Sequence, residues 1–225
     1  MSSGQRALII GASRGLGLGI ATALHQQGWA VTATRRSPSA ATDNLPVRWL
    51  ALDINDAASQ RAACCQTLAQ DSFDLVLINA GVYGPERQNL TALDPEQLIP
   101  LFLTNTLAPI ALASALLPHL AEHATLAFMT SRLGSLTENA SAELPFYAAS
   151  KAALNMLTRG LSDAVSDRQV TLLSLHPGWV QTDLGGSGAP LTVESSVSGL
   201  LQQIARYQGK GGHHFVDYAG NRLAW

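Results

Sequence analysis

Cysteine is nearly absent from this chain of 225 residues, with only the adjacent pair Cys64 and Cys65. Two neighbouring thiols build no disulfide framework and carry no metal-ligand spacing, which predicts a reducing compartment, the cytoplasm. Lysine is equally scarce, limited to Lys151 and Lys210, and all charged residues together make up 13% of the chain. A net charge of −2 without any Lys/Arg run excludes the basic surface that nucleic-acid binding requires. No apolar run approaches the roughly 18 residues of a membrane span. The polar start at residues 1–6 gives way to an apolar run that stops at Gly11, unlike a secretory signal, so no membrane association is predicted. His213 and His214 are adjacent on a strand-like segment, where successive side chains face opposite ways, so no metal site is expected.

What is present is a regular alternation. Short apolar runs rich in β-branched residues, at 7–10, 30–34, 47–52, 73–78, 125–130, 170–175 and 214–216, read as strands. Ala- and Leu-rich stretches of helical length lie between them: 16–27, 57–70, 95–123 (two helices broken near Pro109), 146–166 and 193–208. Parallel neighbours need crossovers, and helices supply them while covering both faces. The pattern predicts an α/β fold, a single-domain Rossmann-like doubly wound parallel sheet of about seven strands with helices on both faces, spanning 1–225. In such sheets ligands bind at strand carboxyl ends.

The first strand runs into Gly11, Ala12, Ser13, Arg14, Gly15, Leu16 and Gly17 and then a helix. Glycines at that junction let backbone approach a pyrophosphate at a helix N-terminus. The second strand ends in Arg35 and Arg36, where an NAD site would place a carboxylate for the ribose; no acid occurs before Asp43. Together with Arg14 these arginines suit the extra phosphate of NADP, so NADP(H) is favoured over NAD(H). Asp53, followed by Ile54, ends the third strand and is placed to meet the adenine edge.

Tyr147 and Lys151 are four apart in a helical stretch and share a face. An ammonium about 4–5 Å from a phenol at an effective dielectric of about 20 favours phenolate by roughly 3–4 kcal/mol, which predicts titration near pH 7–8, suited to general acid–base work. Ser131, ending the fifth strand, is placed to hydrogen-bond a substrate oxygen. Tyr83, Leu136 and Trp179 are candidates for the substrate pocket, and the short glycine-rich stretch 183–190 predicts a shallow, open one.

In order and spacing, the glycine turn, Asp53, Asn79-Ala80-Gly81, Asn105, Ser131, Tyr147/Lys151 and Pro177-Gly178 resemble the short-chain dehydrogenase/reductase family over essentially the whole chain. Within it, the segments 131–135 and 176–183 and the ending 215–225 resemble the C-factor and sniffer-type carbonyl reductase branch. The resemblance implies that Tyr147 exchanges the proton, Ser131 orients the carbonyl, and Lys151 holds the nicotinamide ribose and acidifies the phenol. It implies that Asn105 supports a water-linked proton path to Lys151. Asn79, Ala80 and Gly81 would line the cofactor channel, and Pro177, Gly178, Trp179, Val180 and Thr182 would contact the nicotinamide amide. Two departures stand out: Ile10 where the family usually has Thr, and Ile78 where an Asn usually precedes Asn79. They predict altered rigidity of the glycine loop, with the two apolar side chains packing instead. The implied partner is a small-molecule carbonyl or alcohol, with aldehyde or ketone reduction favoured. Relatives commonly pair through helices corresponding to 105–122 and 147–166, which implies a homodimer or homotetramer. The alternative is a C-factor-like signalling or cofactor-sensing protein with incidental turnover.

Overall fold

The computed structural model describes residues 4–56, 58–68 and 72–225. Seven strands, β1 (Arg6–Ile10), β2 (Ala30–Arg35), β3 (Arg48–Ala51), β4 (Phe73–Ile78), β5 (Leu120–Met129), β6 (Thr171–His176) and β7 (His213–Asp217), form one sheet in the order β3-β2-β1-β4-β5-β6-β7. Every neighbouring pair is parallel. The helices are α1 (Gly15–Gln26), α2 (Ala40–Asp43), α3 (Ala58–Leu68), α4 (Pro95–Phe102), α5 (Ala108–Leu116), α6 (Pro145–Arg159), α7 (Ser162–Val165) and α8 (Val193–Tyr207). Chain order reverses direction between β1 and β4, and the carboxyl ends of these two strands open the crevice where such sheets bind ligands.

Both faces of the sheet are buried, which is why its strands are almost continuously apolar. On one face Leu8, Ile10, Val76, Ile78, Leu126 and Phe128 pack with Leu112 and Leu116 of α5 and Leu154 of α6. On the other, Ile9, Leu75, Leu77 and Leu173 pack with Ile20 and Leu24 of α1 and Leu200 and Ile204 of α8. The alternation along β1 and β4 sends successive side chains to opposite cores. Cys65 packs against the α5 side as a half-buried thiol.

The segment predicted as helix over 95–123 differs from expectation at both its interruption and its end. The irregularity is a π turn at Leu103–Leu107, and Pro109 sits in the first turn of α5, where its missing N–H costs nothing. Helical structure stops at His119, and Leu120 already pairs with Phe73. A register shift in that pairing, with His123 at φ +61°, precedes Thr125 beside Leu75. The polar Glu122 and His123 hide this strand start from any local periodicity. The run Pro95–His119 is long and apolar enough by composition alone to cross a membrane. In the fold, its residues Leu101, Ala108, Leu112, Ala113 and Leu116 are buried within the protein. The predicted helix over 146–166 is divided at Gly160 into α6 and α7.

Gly199 lies in α8 against the turn after β7, and a Cβ there would sit 2.3 Å from the Tyr218 carbonyl oxygen. Helix propensity favours Ala by about 1 kcal/mol. The clash is with backbone, however, and overpacking of that kind costs more than propensity returns. Gly199→Ala is expected to destabilise the protein by about 1–3 kcal/mol in urea unfolding; a stabilised variant would contradict this packing.

Candidate active site

A cleft of about 690 Å³ lies over the carboxyl ends of β1 and β4, within the usual range for cofactor and ligand sites. Its floor is the glycine turn. Gly11 has φ +82°, and a Cβ on it would lie 2.8 Å from the Ala80 nitrogen. A Cβ on Gly17 would lie 2.2 Å from the Gly11 carbonyl oxygen. These positions admit only hydrogen because the turn and the start of α1 are folded onto the segment after β4. α1 begins with no side-chain cap and no acidic residue in its first turn, so its free N–H groups and positive dipole end face the cleft.

The turn is held without the polar pair that the family resemblance leads one to expect. Ile10 and Ile78 are register partners and both are buried, so they pack, as predicted. The polar tie comes from elsewhere: Asn79 Nδ2 donates to the Gly11 carbonyl at 2.9 Å, and the Gly11 N–H donates to Thr34 Oγ1 at 2.9 Å. Two anchors thus restrain the loop that the sequence alone left looser.

The three arginines are not equivalent. Arg35 donates to Asp43 at 2.6 Å and its guanidinium stacks on the Trp49 ring at 4.9 Å, so it is already engaged. Arg14 reaches across the cleft mouth to Asp183 at 3.0 Å, both side chains remaining about 70% exposed. Arg36 lines the cleft, exposed, with no ion pair among the described residues. Asp53 and the buried Ile54 line the same end, where Asp53 also accepts the Asn55 N–H at 3.0 Å.

At the other end α6 brings Tyr147 and Lys151 one turn apart, 9% and 3% exposed. Ser131, which follows β5 and is itself buried, lies beside the Tyr147 phenol and favours its ionised form. Lys151 Nζ donates to the Met129 carbonyl at 3.0 Å and lies 5.8 Å from the Tyr147 ring centroid. Phenol titration near pH 7–8, expected from the Tyr/Lys spacing, does not hold. Burial, with a smaller contribution from the Tyr83 phenol, pushes Tyr147 up to about 12 against the opposing effect of the Ser131 hydroxyl. Burial also pulls Lys151 down to about 8. Desolvation outweighs mutual attraction because the ammonium bonds a backbone carbonyl rather than the phenol. Asn105 sits fully buried in the π turn, its amide bonded to both the N–H and the carbonyl of Val82 (2.8 and 2.9 Å) and to Ser150 (3.1 Å). A Cβ on Gly81 would lie 3.4 Å from both Asn105 Oδ1 and Lys151 Nζ, which places those two groups on one side of that glycine.

Of the residues singled out in the sequence, Ser13, Gly15, Leu16, Asn79, Ala80, Gly81, Pro177 and Thr182 also line the cleft. Six do not. Gly17, Asn105 and Ser131 are buried just behind its wall. The other three leave it altogether. Gly178 is pressed against Leu191 and Tyr218, Val180 is buried in a bridge to Leu191, and Trp179 is 60% exposed with its indole N–H bonded to the Gly185 carbonyl at 2.7 Å. That bridge turns the segment after Pro177 away from the cleft until Gln181. Tyr83 lines the cleft, whereas Leu136 lines a separate hollow beside Trp225. The sequence reading missed Thr34, Asn55, Thr104 and Gln181 in the lining. Their polar side chains belong to no motif: Thr34 is on β2, Thr104 in the π turn, and Asn55 and Gln181 in the loops after β3 and β6.

Two outcomes follow from this geometry. Gly17→Ala is expected to weaken dinucleotide binding by calorimetry at least about tenfold, since a Cβ there displaces the turn; unchanged affinity would contradict the cradle. A lysine whose folded-state pKa is near 8 instead of 10.5 costs stability below about pH 8, and that cost fades as pH rises to 10.5. At neutral pH it amounts to roughly 3 kcal/mol. Lys151→Met should therefore raise the melting temperature at pH 7 and lose that advantage near pH 10.5; a lower melting temperature at pH 7 would contradict the desolvation account.

Comparison with known proteins agrees with this geometry. The sequence profile of the short chain dehydrogenase family matches residues 5–189. The C-signal protein of Myxococcus xanthus is 38% identical over 154 residues, covering 68% of this chain and 92% of that protein. A carbonyl reductase from Pseudomonas aeruginosa PAO1, also solved in complex with NADP, superimposes with a TM-score of 0.89 at 38% identity, covering 98% of this chain and all of that one. The carbonyl reductase Sniffer of Drosophila melanogaster superimposes with a TM-score of 0.85 at 30% identity, over 99% and 100% of the two chains. This chain belongs to the short-chain dehydrogenase/reductase family, in its C-factor and sniffer-like branch.

Proposed function

We propose that the chain is an NADP(H)-dependent oxidoreductase that reduces an aldehyde or ketone, with Tyr147 as the proton donor. The observation that carries the reading is the Tyr147 phenol, buried beside Ser131 with Lys151 one turn away, at the inner end of a glycine-floored cleft. The cradle that a Cβ at Gly11 or Gly17 would fill, and the uncapped start of α1, fit a dinucleotide pyrophosphate. Arg36 and Arg14 fit a 2′-phosphate, and Asp183 competes for Arg14. The relatives solved with NADP support the same cofactor. When bound, the nicotinamide supplies or accepts the hydride. Ser131 orients the carbonyl oxygen beside the phenol. Tyr147, raised to about 12, keeps its proton throughout the neutral range and gives it to the developing alkoxide. Lys151, near 8, is charged below that pH; it binds the ribose and returns a proton to Tyr147 along a path that Asn105 supports. The same raised phenol opposes alcohol oxidation, which needs the phenolate. A signalling role with incidental turnover gives no reason for burying a reacting trio at a cofactor cleft.

We also propose a homodimer or homotetramer built on α5 and α6. Leu107, just before α5, and Met156 and Leu157 of α6 are exposed, and the Asn155 amide is 4% exposed with neither its oxygen nor its nitrogen partnered among the described residues. A second copy of this face would cover the apolar patch.

NADPH oxidation across a panel of aldehydes and ketones tests the activity: Tyr147→Phe is expected to lose about 100-fold or more in kcat, and NADH to be used less well than NADPH. An equally active Tyr147→Phe would overturn the mechanism. Met156→Glu is expected to shift the protein toward monomer in size-exclusion chromatography with light scattering, and an unchanged mass would contradict the α6 interface.

A further inference from the structure

The first turn of α6 carries Tyr147 but lacks the cap that a helix start normally has. Leu144 stands at its N-cap with φ +47° and no side-chain acceptor, and Pro145 follows without an N–H. The N–H groups of Phe146 and Tyr147 are therefore orphaned locally. Both are satisfied from far away: Gln88 Oε1 accepts them at 2.9 and 3.0 Å. The same amide donates through Nε2 to the carbonyls of Tyr83 at 3.3 Å and Pro85 at 3.2 Å. All four of its hydrogen-bonding positions are used. Between those two carbonyls Gly84 has φ +87°, and a Cβ there would lie 2.9 Å from Leu101, which clusters with Phe146 and Tyr147. The loop after β4 is thus fastened to α6 on one side and pressed onto α4 on the other. The product is a fixed pair of phenols: the Tyr83 and Tyr147 rings stack with centroids 5.9 Å apart at 24°.

We propose that Gln88 is a positioning residue for the reaction, clipping the Tyr83 loop to the first turn of α6 and so setting where the Tyr147 hydroxyl sits relative to Tyr83 and Ser131. The inference rests on the reading of Tyr147 as proton donor. An amide is required because the two halves of the clip differ in kind. A carboxylate would accept the two helix N–H groups equally well, yet it would present lone pairs to two carbonyls and repel the loop. Among the described residues, the titratable groups facing Tyr147 are Tyr83 from the loop and Lys151 from its own helix. Tyr83 works in the direction that keeps the phenol protonated.

The test compares Gln88→Met, which keeps volume and removes all four bonds, with Gln88→Glu, which keeps the helix cap and removes the loop donors. Tyr83→Phe, its combination with each Gln88 variant, and Tyr147→Phe are run alongside. Both Gln88 variants are expected to lower kcat for carbonyl reduction about tenfold or more, with the NADPH dissociation constant from cofactor fluorescence unchanged. The ionisation of the Tyr147 phenol, followed by carbon-13 NMR at tyrosine Cζ, should move to lower pH in Gln88→Met, as in Tyr83→Phe, and adding Tyr83→Phe should move it little further. A Gln88→Glu protein with native kcat would reduce Gln88 to a helix cap and overturn the proposal, as would a loss confined to thermal stability in both variants. Full activity in Tyr147→Phe would overturn both this inference and the proton-donor reading. Loss of activity in Tyr147→Phe with native behaviour in both Gln88 variants would overturn this inference alone.

Discussion

The site depends on burying a phenol and an ammonium one helical turn apart at the carboxyl edge of a parallel sheet. Taking both groups out of water pushes the phenol up and the ammonium down, so each is driven toward its neutral form. Two neighbours compensate in part: the Ser131 hydroxyl beside the phenol, and the Met129 carbonyl that accepts from the amine. Both come from the end of β5, so a strand inside the core also arms the site. A residue placed this way costs stability and is retained for what it does.

The same economy of space governs the nucleotide end. β1 and β4 run side by side, and their following loops are so close that Gly11 and Gly17 have no room for a Cβ. Substituting Ile10 and Ile78 for polar residues moves the fastening of this turn rather than removing it, because Asn79 and Thr34 reach the Gly11 carbonyl and N–H from either side. Rigidity of the cradle is a property of the local packing, and more than one set of side chains supplies it.

The fold was legible because a sheet buried on both faces writes itself as apolar runs separated by helical stretches; even the glycine turn and the Tyr147/Lys151 pair stand at readable spacings. What stayed hidden depended on distant partners. The beginning of β5 is invisible because Glu122 and His123 interrupt it and only pairing with β4 defines it. Arg35 looked available until Asp43 and Trp49 were seen to hold it. Gln88 belongs to no motif, and its four bonds span 58 and 59 residues on one side and a few on the other. The acidity of Tyr147 was misjudged from sequence because helical spacing gives the lysine's proximity but says nothing of desolvation, and desolvation decides it.

That balance is open to direct measurement. Carbon-13 NMR of protein labelled at tyrosine Cζ, with the Tyr147 resonance assigned by its disappearance in Tyr147→Phe, reports the ionisation of this one phenol. The account predicts no titration of that signal below about pH 10. A midpoint near neutrality would contradict it, and would return the site to a phenol acidified by its lysine.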